Sequence, residues 1–179
     1  MPCIYTHHVF GKDVHAGLPK ELRTIIEHHK DEFFAGLQGP DFLFFYLPVF
    51  KVRTNQIGHW QHKRPFDTFL RHLIPVIHRE GTDSGIYAYT MGFICHFMLD
   101  SECHPYIGRY MEERGLGHLE IETDFDRELM IEDGKDPVRN DCTRHLIRDL
   151  DTEEAIASVL DGVTADQVDR CILGFRKTI

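Results

Sequence analysis

Apolar positions along the chain recur mostly at steps of three and four residues, which predicts helices. Pro19 can occupy a first turn, and Leu22, Ile25, Ile26 and His29 then share one face. Phe66, Phe69, Leu70, Leu73 and Ile77 repeat the pattern, with Pro75 as a kink. From about Ser84, capped by Asp83, the residues towards His104 are apolar nearly all round, the mark of a central buried helix. Pro105 disfavours helical geometry in the residue before it, so this helix is expected to stop near His104.

Gly115 and Gly117 break the chain, and another helix is expected from near His118 to Gly134, with Ile121, Phe125 and Leu129 facing inward. Two short helices follow. Asp151 with Glu154, and Thr164 with Gln167, have the spacing of capping boxes, with Gly162 between the helices. Val168, Cys171, Ile172 and Phe175 give the last helix its apolar face. Only Phe42 to Phe50 could be extended, and Pro48 spoils it as a central strand. The expected fold class is all-α. With no repeat or linker to divide it, the chain reads as one domain over 1–179, with a core at 1–130 and C-terminal helices at 131–179.

Composition narrows the function. The 179 residues include 20 Lys and Arg against 29 Asp and Glu, a formal charge of −9. That balance disfavours an electrostatic grip on nucleic acid or anionic membrane. The five cysteines (Cys3, Cys95, Cys103, Cys142, Cys171) form no C-x-x-C pair and read as reduced thiols. No signal peptide is evident, because His7, His8, Lys12, Asp13 and His15 interrupt any apolar stretch. The run from Ile86 to Leu99 is too short to span a bilayer. A cytoplasmic location is expected.

Thirteen histidines in an acidic chain point to metal chemistry. His96, Asp100 and His104 are spaced i, i+4, i+8, so one helix projects them from nearly the same face. His118 and Glu122 form a second i, i+4 pair. Imidazole and carboxylate at this step can share a metal without bending the backbone, and five such groups exceed the needs of one tetrahedral zinc. A lone pair of this kind is more often a hydrogen-bonded core contact. Ionisable groups on the most apolar helix, however, need a partner strong enough to offset desolvation. Cys95 and Cys103 flank the ligands off their face and should pack. His15, His28, His29, His72, His78 and His145 show no paired spacing.

The run His96-x3-Asp100-x3-His104-x13-His118-x3-Glu122 resembles the zinc-dependent phospholipases C of bacteria, which share a fold with the S1/P1-type nucleases. Upstream, Tyr5-Thr6-His7 with Phe10-Gly11, Gln38-Gly39-Pro40-Asp41, and Ile57-Gly58-x3-His62 also fit, so these motifs cover roughly residues 1 to 130. The resemblance implies a multi-helix bundle of phospholipase C / P1 nuclease type. It implies one zinc on Asp41, His62, His96 and Asp100, and a second on His104, His118 and Glu122. A third would lie between Asp100 and His7. His8 and His59 are rivals for the places of His7 and His62. In the family an amino-terminal tryptophan completes the third site, whereas this chain starts Met1-Pro2-Cys3, so two or three zinc ions are expected.

The resemblance further implies hydrolysis of a phosphodiester, in a phospholipid headgroup or a soluble analogue, with Asp41 orienting or deprotonating the attacking water. Phe42 matches a headgroup-contacting aromatic of the family, although the aromatic run Phe42, Phe44, Phe45 and Tyr46 reads first as core. A nuclease or nucleotide phosphatase of the same fold would need more positive surface than Lys51, Arg53, His62, Lys63 and Arg64 provide. Nucleic acid is therefore not the first choice. A metal-binding module without turnover is the non-enzymatic alternative. An HD-type phosphohydrolase would need an adjacent His-Asp pair, and the chain has none.

Overall fold

The computed structural model describes residues 4–47, 50 and 52–178. Cys3 and Pro48, and with them the expectations about the Met1-Pro2-Cys3 start and Lys51, lie outside the described residues. The elements run α1 (Ile4–Gly17), α2 (Lys20–His28), α3 (Lys30–Gly36), a 3-10 turn (Asp41–Phe45), α4 (Arg53–Lys63), α5 (Phe66–Glu80), α6 (Gly85–Arg114), α7 (His118–Glu132), α8 (Leu150–Val159) and α9 (Ala165–Thr178). Among the described residues the fold is all-α, as expected. No helix among them is long and apolar enough to cross a membrane.

The axis of the fold is the contact between α3 and α6. A side chain on Gly36 would lie 2.3 Å from the Tyr89 carbonyl oxygen, and one on Gly92 would lie 2.2 Å from that of Phe33. Only glycine lets the two backbones touch. One turn beyond Gly92, this contact brings His96 against the segment that follows α3.

Two cores flank the axis. The smaller gathers Ile26, Phe33, Leu37, Ala88 and Cys95. The larger joins Phe42, Leu43 and Phe45 of the 3-10 turn to Ile156, Val159, Leu160, Val168, Cys171, Ile172 and Phe175. The last two helices therefore hold the 3-10 turn in place. A side chain at Gly174 would meet the Phe45 carbonyl oxygen at 2.4 Å.

Several boundaries differ from expectation, each for a local reason. Helix α6 continues through Pro105 to Arg114. Pro105 lacks one amide donor, but Ile107 beyond it is buried and Tyr106 stacks on Tyr110, so the last turns have contacts of their own. Its cap is Ser84, whose hydroxyl accepts from the Tyr87 amide at 3.3 Å; Asp83 instead faces His28 and His29. Helix α8 is capped by Asp149, which accepts from the Thr152 amide at 3.0 Å, in place of Asp151. The box at Thr164 and Gln167 does form, with amide contacts of 3.0 and 3.3 Å. Phe125 is 53% exposed, because Ile121, Glu122 and Met130 carry the inward face of α7. Residues 41–45 wind into a 3-10 turn and not an extended segment.

Candidate metal centre

Asp41 enters the buried interior at the start of the 3-10 turn, and its two oxygens face two different histidines. Oδ1 lies 2.7 Å from His62 Nε2 and Oδ2 lies 3.8 Å from His96 Nε2. Each ring is oriented from behind by a backbone carbonyl. His62 Nδ1–H donates to the Gly58 oxygen one turn earlier on α4 at 2.8 Å, and His96 Nδ1–H donates to the Leu37 oxygen at 3.2 Å. These contacts assign the proton to Nδ1 and leave the Nε2 lone pair facing carboxylates. Gly39 makes room for the His96 ring. It has φ +52°, and a Cβ there would lie 2.3 Å from the imidazole. The Tyr89 hydroxyl pins this segment by donating to the Gly39 carbonyl at 3.2 Å.

His7 of α1 stacks on His96 with ring centres 4.3 Å apart. Its Nε2 is 3.2 Å from Asp100 Oδ1, while Asp100 Oδ2 is 3.3 Å from His96 Nε2. Asp126 of α7 sets the position of α1. It accepts from the amides of Tyr5 and Thr6 at 3.0 and 2.8 Å and from the Thr6 hydroxyl at 2.6 Å, and so caps the helix across the fold.

A further group lies towards solvent. Gly115, with φ +69°, ends α6 in a left-handed turn, and after two more residues α7 begins at His118. His118 Nε2 and Glu122 Oε1 are 2.9 Å apart, and His104 Nε2 is 3.7 Å from that oxygen and 3.6 Å from Asp100 Oδ1.

All eight residues expected as ligands thus fall into three sets whose ligand atoms lie within 4.8 Å of one another. They are His7, His96 and Asp100; Asp41, His62 and His96; and His104, His118 and Glu122. His96 belongs to two sets, and Asp100 touches all of the first and part of the third. His8 turns elsewhere, stacking on His145 with centroids 4.2 Å apart. His59 packs at a tilt on Phe44, ring centres 4.6 Å apart, and joins none of the sets among the described residues. Phe42 is fully buried in the larger core and does not reach the opening; Phe44, against His59 and His62, does. The carbonyls of Leu37 and Gly58, the space at Gly39, and Asp126 were not anticipated. Gly39 and Gly58 stand in the motifs that carry the resemblance, but nothing in those motifs shows what their backbones do.

Charge explains what these groups need. Burial works against a charged His62, but the Asp41 carboxylate and the Gly58 carbonyl raise its pKa to about 9. His96 is raised too, against burial, by Asp41 and Asp100. Asp100 is held well below the carboxylate range despite burial by the imidazoles of His7 and His96 that face it, and Asp41 is lowered by His96 and His62. A lone pair aimed at a carboxylate requires a cation between them, either a proton or a metal ion. His96 Nε2 is buried and makes no hydrogen bond, so nothing else supplies this need. The nitrogen and oxygen donors fit zinc.

Two openings reach the centre. A polar mouth of about 220 Å³ is lined by Asp41, Phe44, His59, His62, His104 and His118. An apolar slot of about 270 Å³ lies between α1, α6 and α7, with Leu99, Cys103, Tyr106, Ile107, Ile121 and Phe125 in its walls. The sets of candidate ligands contain no cysteine: Cys95 packs in the smaller core and Cys103 lines the slot.

A family model described as zinc-dependent phospholipase C matches residues 6–171. The match continues through the C-terminal helices, beyond the span of about 1 to 130 that the motifs alone cover. Neither the curated proteins nor the solved structures give a match.

Proposed function

This chain belongs to the zinc-dependent phospholipase C family, and from that premise we propose that it hydrolyses a phosphodiester, either a phospholipid headgroup ester or a soluble analogue. The observation that carries the proposal is the His96 lone pair, buried between two carboxylates and without a hydrogen bond of its own. Zinc held by His7, Asp41, His62, His96, Asp100, His104, His118 and Glu122 would supply Lewis acidity towards a phosphoryl oxygen and lower the pKa of water.

The remaining work falls to the chain. The depressed pKa of Asp41 suits it to accept a hydrogen bond from water at the mouth and so to orient it. His104 and His118, 41% and 40% exposed, flank the phosphate's approach, and Phe44 walls the opposite side.

The test offers the zinc-loaded protein a chromogenic phosphodiester, phosphatidylcholine vesicles and single-stranded DNA. Hydrolysis of the first, with or without the second, is expected. Asp41→Asn is expected to lower that rate about a hundredfold while zinc is retained. Full activity in that variant removes Asp41 from the mechanism. DNA cleavage alone would replace the proposal with a nuclease, and no turnover on any substrate would leave a metal-binding module.

A further inference from the structure

His8, next to His7 on α1, faces a separate cavity of about 480 Å³, within the size range of small-molecule sites. Lys12 from α1, Lys30 from the start of α3, and Lys135 and Arg144 from the segment after α7 all line it. Four cations from three parts of the fold converge in a chain whose formal charge is −9.

Two carboxylates, Asp31 and Asp141, share the cavity and offset part of this charge, which leaves the cations in excess. Asp141 Oδ1 accepts from the Thr143 amide and hydroxyl at 3.0 and 2.7 Å, which ties that oxygen to its own turn. Lys12, Lys30 and Arg144 have no carboxylate within 4.0 Å among the described residues; Lys135 lies 3.9 Å from Asp133 and over the Tyr5 ring. The floor is rigid. His145 stacks on His8, and its Nε2 is 3.1 Å from the amide of buried Gln38. Phe34 and Ile147 supply apolar wall.

We propose that this cleft binds a small phosphate-bearing anion, inorganic phosphate or a phosphomonoester, at a site distinct from the metal centre. Four cations against two carboxylates leave an excess of positive charge in the cleft, with Lys12, Lys30 and Arg144 outside any ion pair among the described residues, and a dianion relieves their repulsion with charge-assisted hydrogen bonds. The cavity, about 480 Å³, has room for a small organic group attached to the phosphate.

The test measures binding of radiolabelled inorganic phosphate, and separately of glycerol phosphate, to the zinc-loaded protein by equilibrium dialysis. Lys12→Ala/Arg144→Ala is expected to lose one binding equivalent, its Kd weakened at least about tenfold. Its turnover of the chromogenic phosphodiester should be unchanged. Tighter binding of glycerol phosphate would identify a phosphomonoester site, and equal binding a site for phosphate itself. Arg71→Ala/Arg79→Ala, which removes two exposed charges on α5, should change neither. Phosphate binding equal to wild type in the cleft variant, equal losses in both double variants, or no binding by wild type would each overturn the proposal.

Discussion

The inner and outer parts of the candidate metal centre use the same side chains in opposite ways. The inner histidines, His96 and His62, are each turned by a backbone carbonyl, and His96 rests against a glycine that leaves it room. The outer pair is His104, in the second half of α6, and His118, at the start of α7, and no hydrogen bond to backbone orients either ring among the described residues. The inner part is fixed by the tertiary fold. The outer part is fixed by helical spacing and the short turn at Gly115.

The largest test of this difference is zinc content. His96→Ala removes a ligand common to two sets and should lose the greater share of bound zinc, with affinity for that share falling more than about a hundredfold. His118→Ala should lose only the outer share. Equal losses, measured by inductively coupled plasma mass spectrometry, would mean that the two parts act as one unit.

Gly39→Val sharpens the comparison without touching a candidate ligand. Its Cβ would overlap the His96 ring, and its φ of +52° strains any β-branched residue. A destabilisation of about 3 kcal/mol in denaturant titration is expected, with loss of inner zinc. Gly117→Ala, where the added carbon meets nothing within 4 Å, is the matched control beside the outer group. A stable Gly39→Val protein with full zinc would show that the inner rings are not held as described.

The smallest effect is in protons. In the metal-free protein the Asp41 carboxylate keeps His62 protonated up to about 9, so zinc must displace that proton near neutral pH. Calorimetry in buffers of different ionisation enthalpy should show release of the His62 proton, falling away as pH rises past about 9. The His62 proton also stabilises the metal-free fold. That contribution is complete below the unfolded value of 6.5 and is lost as pH rises through about 9. Zinc uptake with no proton release would contradict the facing of lone pair and carboxylate.

The same division explains what could be read from the chain. Five outer and shared positions, His96 to Glu122, were legible because a four-residue step on a helix is a local constraint. Asp41, His62 and His7 come from three distant segments, and only the family resemblance pointed to them. Leu37 and Gly58 act through backbone carbonyls, which no side-chain pattern reveals. Pro105 misled because the turns beyond it are held by contacts of Ile107, Tyr106 and Tyr110 that propensity does not contain. Helix α1 gave no amphipathic signal, since it turns His7 to the metal centre and His8 to the basic cleft, and packs Gly11 against Leu37.

The seating of Gly174 against the Phe45 carbonyl has a consequence for biosynthesis. The 3-10 turn that begins with Asp41 gains its support from α9, which leaves the ribosome long after Asp41 does. A nascent chain can already present His96, Asp100, His104, His118 and Glu122 while the inner pocket is still without its floor. Zinc captured early would settle first at the outer position, and the inner position would fill only once the C-terminal helix had closed beneath it.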